Sequence, residues 1–175
     1  LLRLMLESVF RPGDAVPILA LLKHPLLCAG MDRAQARAAA ETVDLVALRG
    51  GAGRPDIAAL GIAFDSHLAA FAEAPRRPFW WKRLSERRID DARALLAAVE
   101  VALGPLAALR GRKARLQDIA HATVAAFEAL GRDAAANLRD LYRGDAGEAL
   151  AAFLRALLAA AGNLEVEARE WPDVF

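Results

Sequence analysis

Three observations predict an all-α fold. Hydrophobic residues make up 56% of the 175-residue chain, and many of them are alanine, the best intrinsic helix former and small enough for close helix packing. β-Branched residues are sparse, and no stretch alternates apolar and polar positions with the period of two that a half-buried strand needs. Apolar residues instead recur at three- and four-residue steps between breaks marked by glycine and proline. The expected architecture is a single domain, residues 1–175, built as an irregular bundle of about seven or eight helices around a real core.

Leu1, Leu4, Met5 and Val9 lie at helical spacing and define an opening amphipathic helix that Pro12-Gly13 terminates. A short buried helix follows, with Pro17 suited to its first position and Ile18, Leu21, Leu22 and Leu26 on one face. Pro25 has no amide proton and pushes His24 out of the helical region, so the chain turns there; Gly30 supplies a second break. Asp32 and Gln35 have the spacing of a capping box and open an alanine-rich helix reaching to about Arg49. The glycine cluster from Gly50 to Gly53 ends it and reads as a loop. A phosphate-binding loop would need a preceding hydrophobic strand and a Gly-Lys-Ser/Thr ending, and neither is present.

Asp56–Gly61 and Asp65–Glu73 read as two short helical pieces, stopped by Pro75 and Pro78. Ser85 suits the N-cap of a long helix whose Ile89, Ala92, Leu96, Val99, Leu103 and Leu106 form a core-facing stripe. After a basic turn at Arg110–Lys113, Leu116, Ile119, Thr123, Phe127 and Leu130 mark another helix that ends at Gly131. A weaker segment holds Leu138, Leu141 and Tyr142. Asp145 and Glu148 then have capping-box spacing, opening a helix expected to bury Leu150, Phe153, Leu154, Leu157 and Leu158 before Gly162-Asn163 closes it. Trp171-Pro172-Asp173 looks like the start of a further helix, and with no initiator Met the chain reads as an internal fragment of a larger protein.

A formal net charge of +1 argues neither for nor against a polyanionic partner. One cysteine excludes an internal disulfide framework and a cysteine zinc cluster, and it is compatible with a reducing, cytoplasmic setting. No apolar run reaches membrane-spanning length, and Arg3 and Glu7 interrupt the opening segment, so neither a signal peptide nor a membrane partner is expected.

The most chemically pointed stretch is Arg76–Arg88. Arg76, Arg77, Lys82, Arg83, Arg87 and Arg88 offer phosphate-neutralising charge, and Trp80 and Trp81 offer stacking faces, the two ingredients of single-strand nucleic-acid binding. The competing reading has the tryptophans anchoring a loop in the core while the arginines stay solvated. Adjacent residues point in different directions, so the two indoles are not expected to serve one surface. The basic turn at 110–115 suits a helix end at least as well as a phosphate. His24, His67 and His121 lack metal-ligand spacing; His24 is expected to be held by its own turn, and Cys28 to be a small buried hydrophobe. Glu165, Glu167, Glu170 and Asp173 read as a solvated acidic linker.

Several landmarks fall in an order that resembles one family. They are Leu21-Leu22-Lys23-His24-Pro25-Leu26 with its small-residue break, Ala47-Leu48-Arg49-Gly50, Gly144-Asp145-Ala146-Gly147-Glu148-Ala149-Leu150 with Phe153-Leu154, and Glu170-Trp171-Pro172. Together they resemble the AddB subunit of bacterial AddAB helicase–nucleases, of the alphaproteobacterial type, over nearly the whole chain, with residues 56–115 matching least. The resemblance implies a heterodimeric enzyme that resects broken DNA ends for recombinational repair, with an architecture similar to UvrD-type helicases. The chain would be a helical accessory region of that subunit, serving as scaffold and DNA-contacting surface, with DNA and an AddA-like subunit as partners. It carries no Walker sequence, no Asp-Glu helicase motif and no acidic nuclease motif, so no catalytic residue transfers and no cofactor or metal is expected. A helical module that docks a partner subunit without touching nucleic acid is the main rival. A small-molecule pocket lined by Trp80, His67 or Tyr142 is the third possibility.

Overall fold

In the computed structural model, which describes residues 1–49, 55–160 and 164–175, long helices dominate, as the sequence predicts. They are α1 (Leu2–Phe10), α2 (Ala15–Leu22), α3 (Arg33–Val43), α4 (Leu60–Glu73), α5 (Glu86–Ala107), α6 (Leu116–Gly131) and α7 (Gly144–Ala160). The glycine cluster at 50–53 and the expected stop at Gly162-Asn163 lie outside the described residues.

The centre of the bundle is α5, with α3 and α6 packed along it. Its buried stripe of Ala92, Leu95, Leu96, Val99, Leu103 and Leu106 adds Leu95 to the predicted set, while Ile89 sits half-buried at the rim. On α3, Ala36, Ala39 and Ala40 are almost wholly enclosed, so the small residues of one helix meet the leucines of the other. Each such leucine contributes about 1.5–3 kcal/mol by leaving water. Pro105 sits in the last turn of α5 on the exposed side, where the one backbone bond it cannot donate, to the carbonyl of exposed Val101, falls on the solvent face.

Several local details depart from expectation. The cap of α2 is Asp14, whose carboxylate accepts from the Val16 amide at 2.9 Å, so Pro17 occupies the third position of the first turn, where its missing proton still costs nothing. Asp32 precedes α3 without a side-chain cap bond. Gln35 does not reach back to it but donates to Asp91 Oδ1 on α5 at 2.7 Å, exchanging a local cap for an interhelical tie. Beyond Val43 the helix widens into a π-helical turn, Asp44–Leu48, with the Arg49 amide donating to the Asp44 carbonyl. The two pieces expected over 56–73 are one unit: a 3₁₀ turn, Ile57–Ala59, runs straight into α4, because nothing between Gly61 and Asp65 breaks the backbone ladder.

At the C-terminal end, Asp145 and Glu148 make no side-chain hydrogen bond among the described residues, so the second capping box is not formed there either. Of the five residues expected to be buried by α7, Leu154 is enclosed and Leu150, Leu157 and Leu158 are half-buried. Phe153 is 46% exposed and meets the ring of Phe175 edge-on.

The acidic stretch is not a linker. Glu165–Glu167 forms a strand, β2, antiparallel to β1 (Lys113–Arg115), in the register Lys113↔Glu167, Ala114↔Val166, Arg115↔Glu165. Opposite charges face each other across the ladder while Ala114 turns into the core. The chain then enters a 3₁₀ helix, Ala168–Val174, that packs on α1 and carries Trp171 into the interior at 2% exposure. The Trp171 indole N–H donates to Thr123 Oγ1 at 2.9 Å, and that hydroxyl donates to the Ile119 carbonyl at 2.7 Å. No described helix is long and apolar enough to cross a membrane.

Candidate nucleic-acid interface

The Arg76–Arg88 segment is the bridge between α4 and α5, and its shape follows from its two prolines. Pro75 follows the end of α4 and Pro78 directly precedes a short 3₁₀ helix, Phe79–Arg83. That helix is closed by Trp81 N–H donating to the Pro78 carbonyl and Leu84 N–H to the Trp81 carbonyl. Leu84 is extended, and the Ser85 hydroxyl then accepts from the Arg88 amide, the predicted N-cap of α5.

A 3₁₀ helix has three residues per turn, so Phe79, Trp80 and Trp81 point about 120° apart while Phe79 and Lys82 share one face. Trp80 packs against the core and meets Phe71 of α4 edge-on, with ring centroids 5.2 Å apart. Trp81 lies 6.4 Å from both the Phe71 and Trp80 rings, so the two indoles join one aromatic cluster around Phe71. α4 supplies a third ring that both indoles reach, so the two tryptophans brace the loop, the role the competing sequence reading gives them. Arg77 is bound into the same cluster, its guanidinium 5.5 Å from the Trp81 ring centre and donating to the Ala72 carbonyl at 2.7 Å.

The remaining predicted residues divide into two groups. Arg87 approaches Asp91 at 4.0 Å and Arg88 approaches Glu41 at 3.7 Å, both loose contacts. Arg76, Lys82 and Arg83 are exposed and form no ion pair among the described residues. Between these cations stands a residue absent from the predicted set. Phe79 is 81% exposed and meets no aromatic partner among the described residues. Its signal was available in the sequence: a third aromatic directly after Pro78, in a helix type whose period cannot bury three successive rings.

In the other basic turn one cation is paired from within. Arg110 Nη1 lies 2.6 Å from Asp56 Oδ2, and the Arg110 guanidinium beside Asp56 holds that carboxyl below the usual carboxylate range. Lys113 and Arg115 face the carboxylates of β2.

The histidines do not converge. His24 Nδ1 accepts from the Leu26 amide at 3.1 Å, so the residue holds the turn as expected, and burial is the main cause that pushes its pKa down. His67 faces the Val46 carbonyl, and His121 is exposed. Tyr142 donates to Glu128 Oε1 at 2.8 Å; burial foremost, with that bond, raises its pKa. Trp80 thus packs on Phe71, His67 on the Val46 carbonyl and Tyr142 on Glu128.

A hollow of about 400 Å³ beside the His24-Pro25 turn is lined in part by Lys23, Arg33, Arg37 and Glu41. Its cations are each engaged: Lys23 with buried Asp44 at 2.7 Å, Arg33 with Asp140 at 2.7 Å, and Arg37 with Glu41 at 3.7 Å. Cys28 is buried nearby, and no group of three or more metal-ligating side chains gathers among the described residues. Comparison with known protein families, with curated proteins and with solved structures found no match to this chain.

Proposed function

We propose that the chain is a helical accessory domain of an AddB-type subunit of a double-strand-break repair helicase–nuclease, contributing DNA-contacting and inter-domain surface with no catalytic residues of its own. The observation that carries the DNA contact is the set of cations Arg76, Lys82 and Arg83, which form no ion pair among the described residues, near exposed Phe79 on a proline-braced turn. Elsewhere many of the surface arginines are tied to carboxylates. The family part of the reading rests on the order of the sequence landmarks alone.

Electrophoretic mobility and fluorescence anisotropy with labelled DNA, over a range of salt concentrations, test the contact. Binding that weakens steeply with salt supports it, and absent or salt-insensitive binding removes it. Helicase-like segments on both sides of this region in the parent chain, with a nuclease domain downstream, would support the family assignment.

A second reading is favoured by a different face. Ile62 on α4 and Val101 on α5 are 75% and 79% exposed, and a hollow of about 290 Å³ beside Ile62 is rimmed by Asp65, Arg93 and Glu100. This face suits a docked partner subunit, with no nucleic-acid contact required. Ile62→Asp with Val101→Asp, assayed by co-purification with an AddA-like subunit, separates the two readings: loss of the partner with DNA binding intact assigns this face to docking.

A further inference from the structure

Resting on the proposed DNA contact, we infer that the ligand of the α4–α5 bridge is single-stranded nucleic acid and that Phe79 is the residue on which a base stacks. The two tryptophans, the obvious candidates in the sequence, are already spent: Trp80 on Phe71 and the core, Trp81 on that cluster and the Arg77 guanidinium. Phe79 is the aromatic of this segment whose ring is left to solvent.

Its surroundings are those of a stacking platform. The 3₁₀ period places Lys82 on the same face as the ring, Arg76 and Arg83 flank it along the bridge, and none of the three forms an ion pair among the described residues, so the phosphates of a stacked strand have cations within the same short segment. Pro75 and Pro78 restrict the backbone on the approach to the ring, and the Trp80–Trp81–Phe71 cluster fixes its base, so little ordering remains to be done on binding.

A single strand matches this surface better than a duplex. In a duplex each base face is covered by its neighbour, and a ring gains a face only by unstacking a step at a cost of a few kcal/mol. A lone ring on a short turn, with no second wedge residue beside it, has nothing to offset that cost. An unpaired strand presents its faces freely, and the stack is tolerant of sequence.

The experiment compares a short labelled oligothymidylate with a duplex of equal length, using the whole chain and its Phe79→Ala, Phe79→Trp and Lys82→Gln/Arg83→Gln variants. Circular dichroism accompanies each variant, and a fluorescent adenine analogue in the strand reports stacking directly. The expected result is tighter binding to the single strand, a loss of about tenfold on Phe79→Ala, retention on Phe79→Trp, and quenching of the analogue by the parent protein but not by Phe79→Ala. Unchanged single-strand affinity in Phe79→Ala, with loss in the charge variant, overturns the stacking role and leaves the proposed interface standing. Equal or tighter binding to the duplex overturns the single-strand assignment. No binding of either nucleic acid overturns the interface reading as well.

Discussion

Thr123 occupies a position in α6 that sequence periodicity assigns to the core, and its hydroxyl makes it more than a spacer. The oxygen donates to Ile119 one turn back and accepts the indole proton of Trp171, joining α6 to the C-terminal 3₁₀ helix in a buried two-bond chain. Thr123→Val keeps the shape and removes the acceptor, leaving a buried indole N–H without a partner. Such a group costs about 1–3 kcal/mol. Thr123→Ser restores the acceptor and loses only a methyl, about 1 kcal/mol. Urea denaturation followed by tryptophan fluorescence is expected to rank the proteins parent, Ser, Val. If Val were as stable as the parent, the Trp171 bond would have no structural weight.

At the scale of elements, the long periodic helices were legible and the short irregular ones were not. The α5 stripe could be read because a 22-residue helix repeats its signal over six turns. Strands β1 and β2 are three residues each, too short for any period, although the complementary triplets Lys113-Ala114-Arg115 and Glu165-Val166-Glu167 carry a pairing signal once one looks for opposite charges in reverse order. Both capping boxes had the right spacing, but Gln35 found a partner in Asp91 on α5, and Asp145 and Glu148 make no side-chain hydrogen bond among the described residues. In the candidate site the arginines were legible as exposed charge, but the division of labour among Phe79, Trp80 and Trp81 depends on Phe71, a tertiary neighbour on α4.

The first turn of α7 shows how far packing overrides propensity. Glycine inside a helix normally costs roughly 1 kcal/mol relative to alanine, so Gly147→Ala would stabilise an isolated α7. Here a Cβ at Gly147 would overlap the Tyr142 backbone carbonyl, its oxygen lying only 2.6 Å away, and a main-chain group cannot swing aside. Gly147→Ala is therefore expected to destabilise the protein by about 1–3 kcal/mol, the cost of overpacking, in thermal or chemical melts. Ala146→Gly, at an exposed neighbouring site, loses only propensity and serves as the control. A stabilised Gly147→Ala would mean that the Tyr142–Gly147 approach is not a constraint.

For the whole molecule the relevant quantity is how charge is distributed, because the total is only +1. A chain so close to neutral has no global field to draw in a polyanion, so any binding must come from a local excess of cations. Several acidic groups are committed: Asp44 to Lys23 and Arg49, Asp56 to Arg110, Asp65 to Arg93, Asp140 to Arg33, and Asp173 to Arg11. Arg76, Lys82 and Arg83 stay unpaired on one bridge among the described residues, with Arg87 and Arg88 only loosely held at its end. Counterion release by three cations on a single strand gives a slope of log K against log salt near −2, at about −0.7 per phosphate. Removing Lys82 and Arg83 together should therefore reduce the steepness by roughly 1.4 and weaken binding at low salt. Exchanging Arg33 and Arg93 for glutamine should leave the slope unchanged, because those cations are held by Asp140 and Asp65. Titrations at several salt concentrations measure both pairs, and equal slope changes in the two would move the interface from the α4–α5 bridge to a diffuse surface effect.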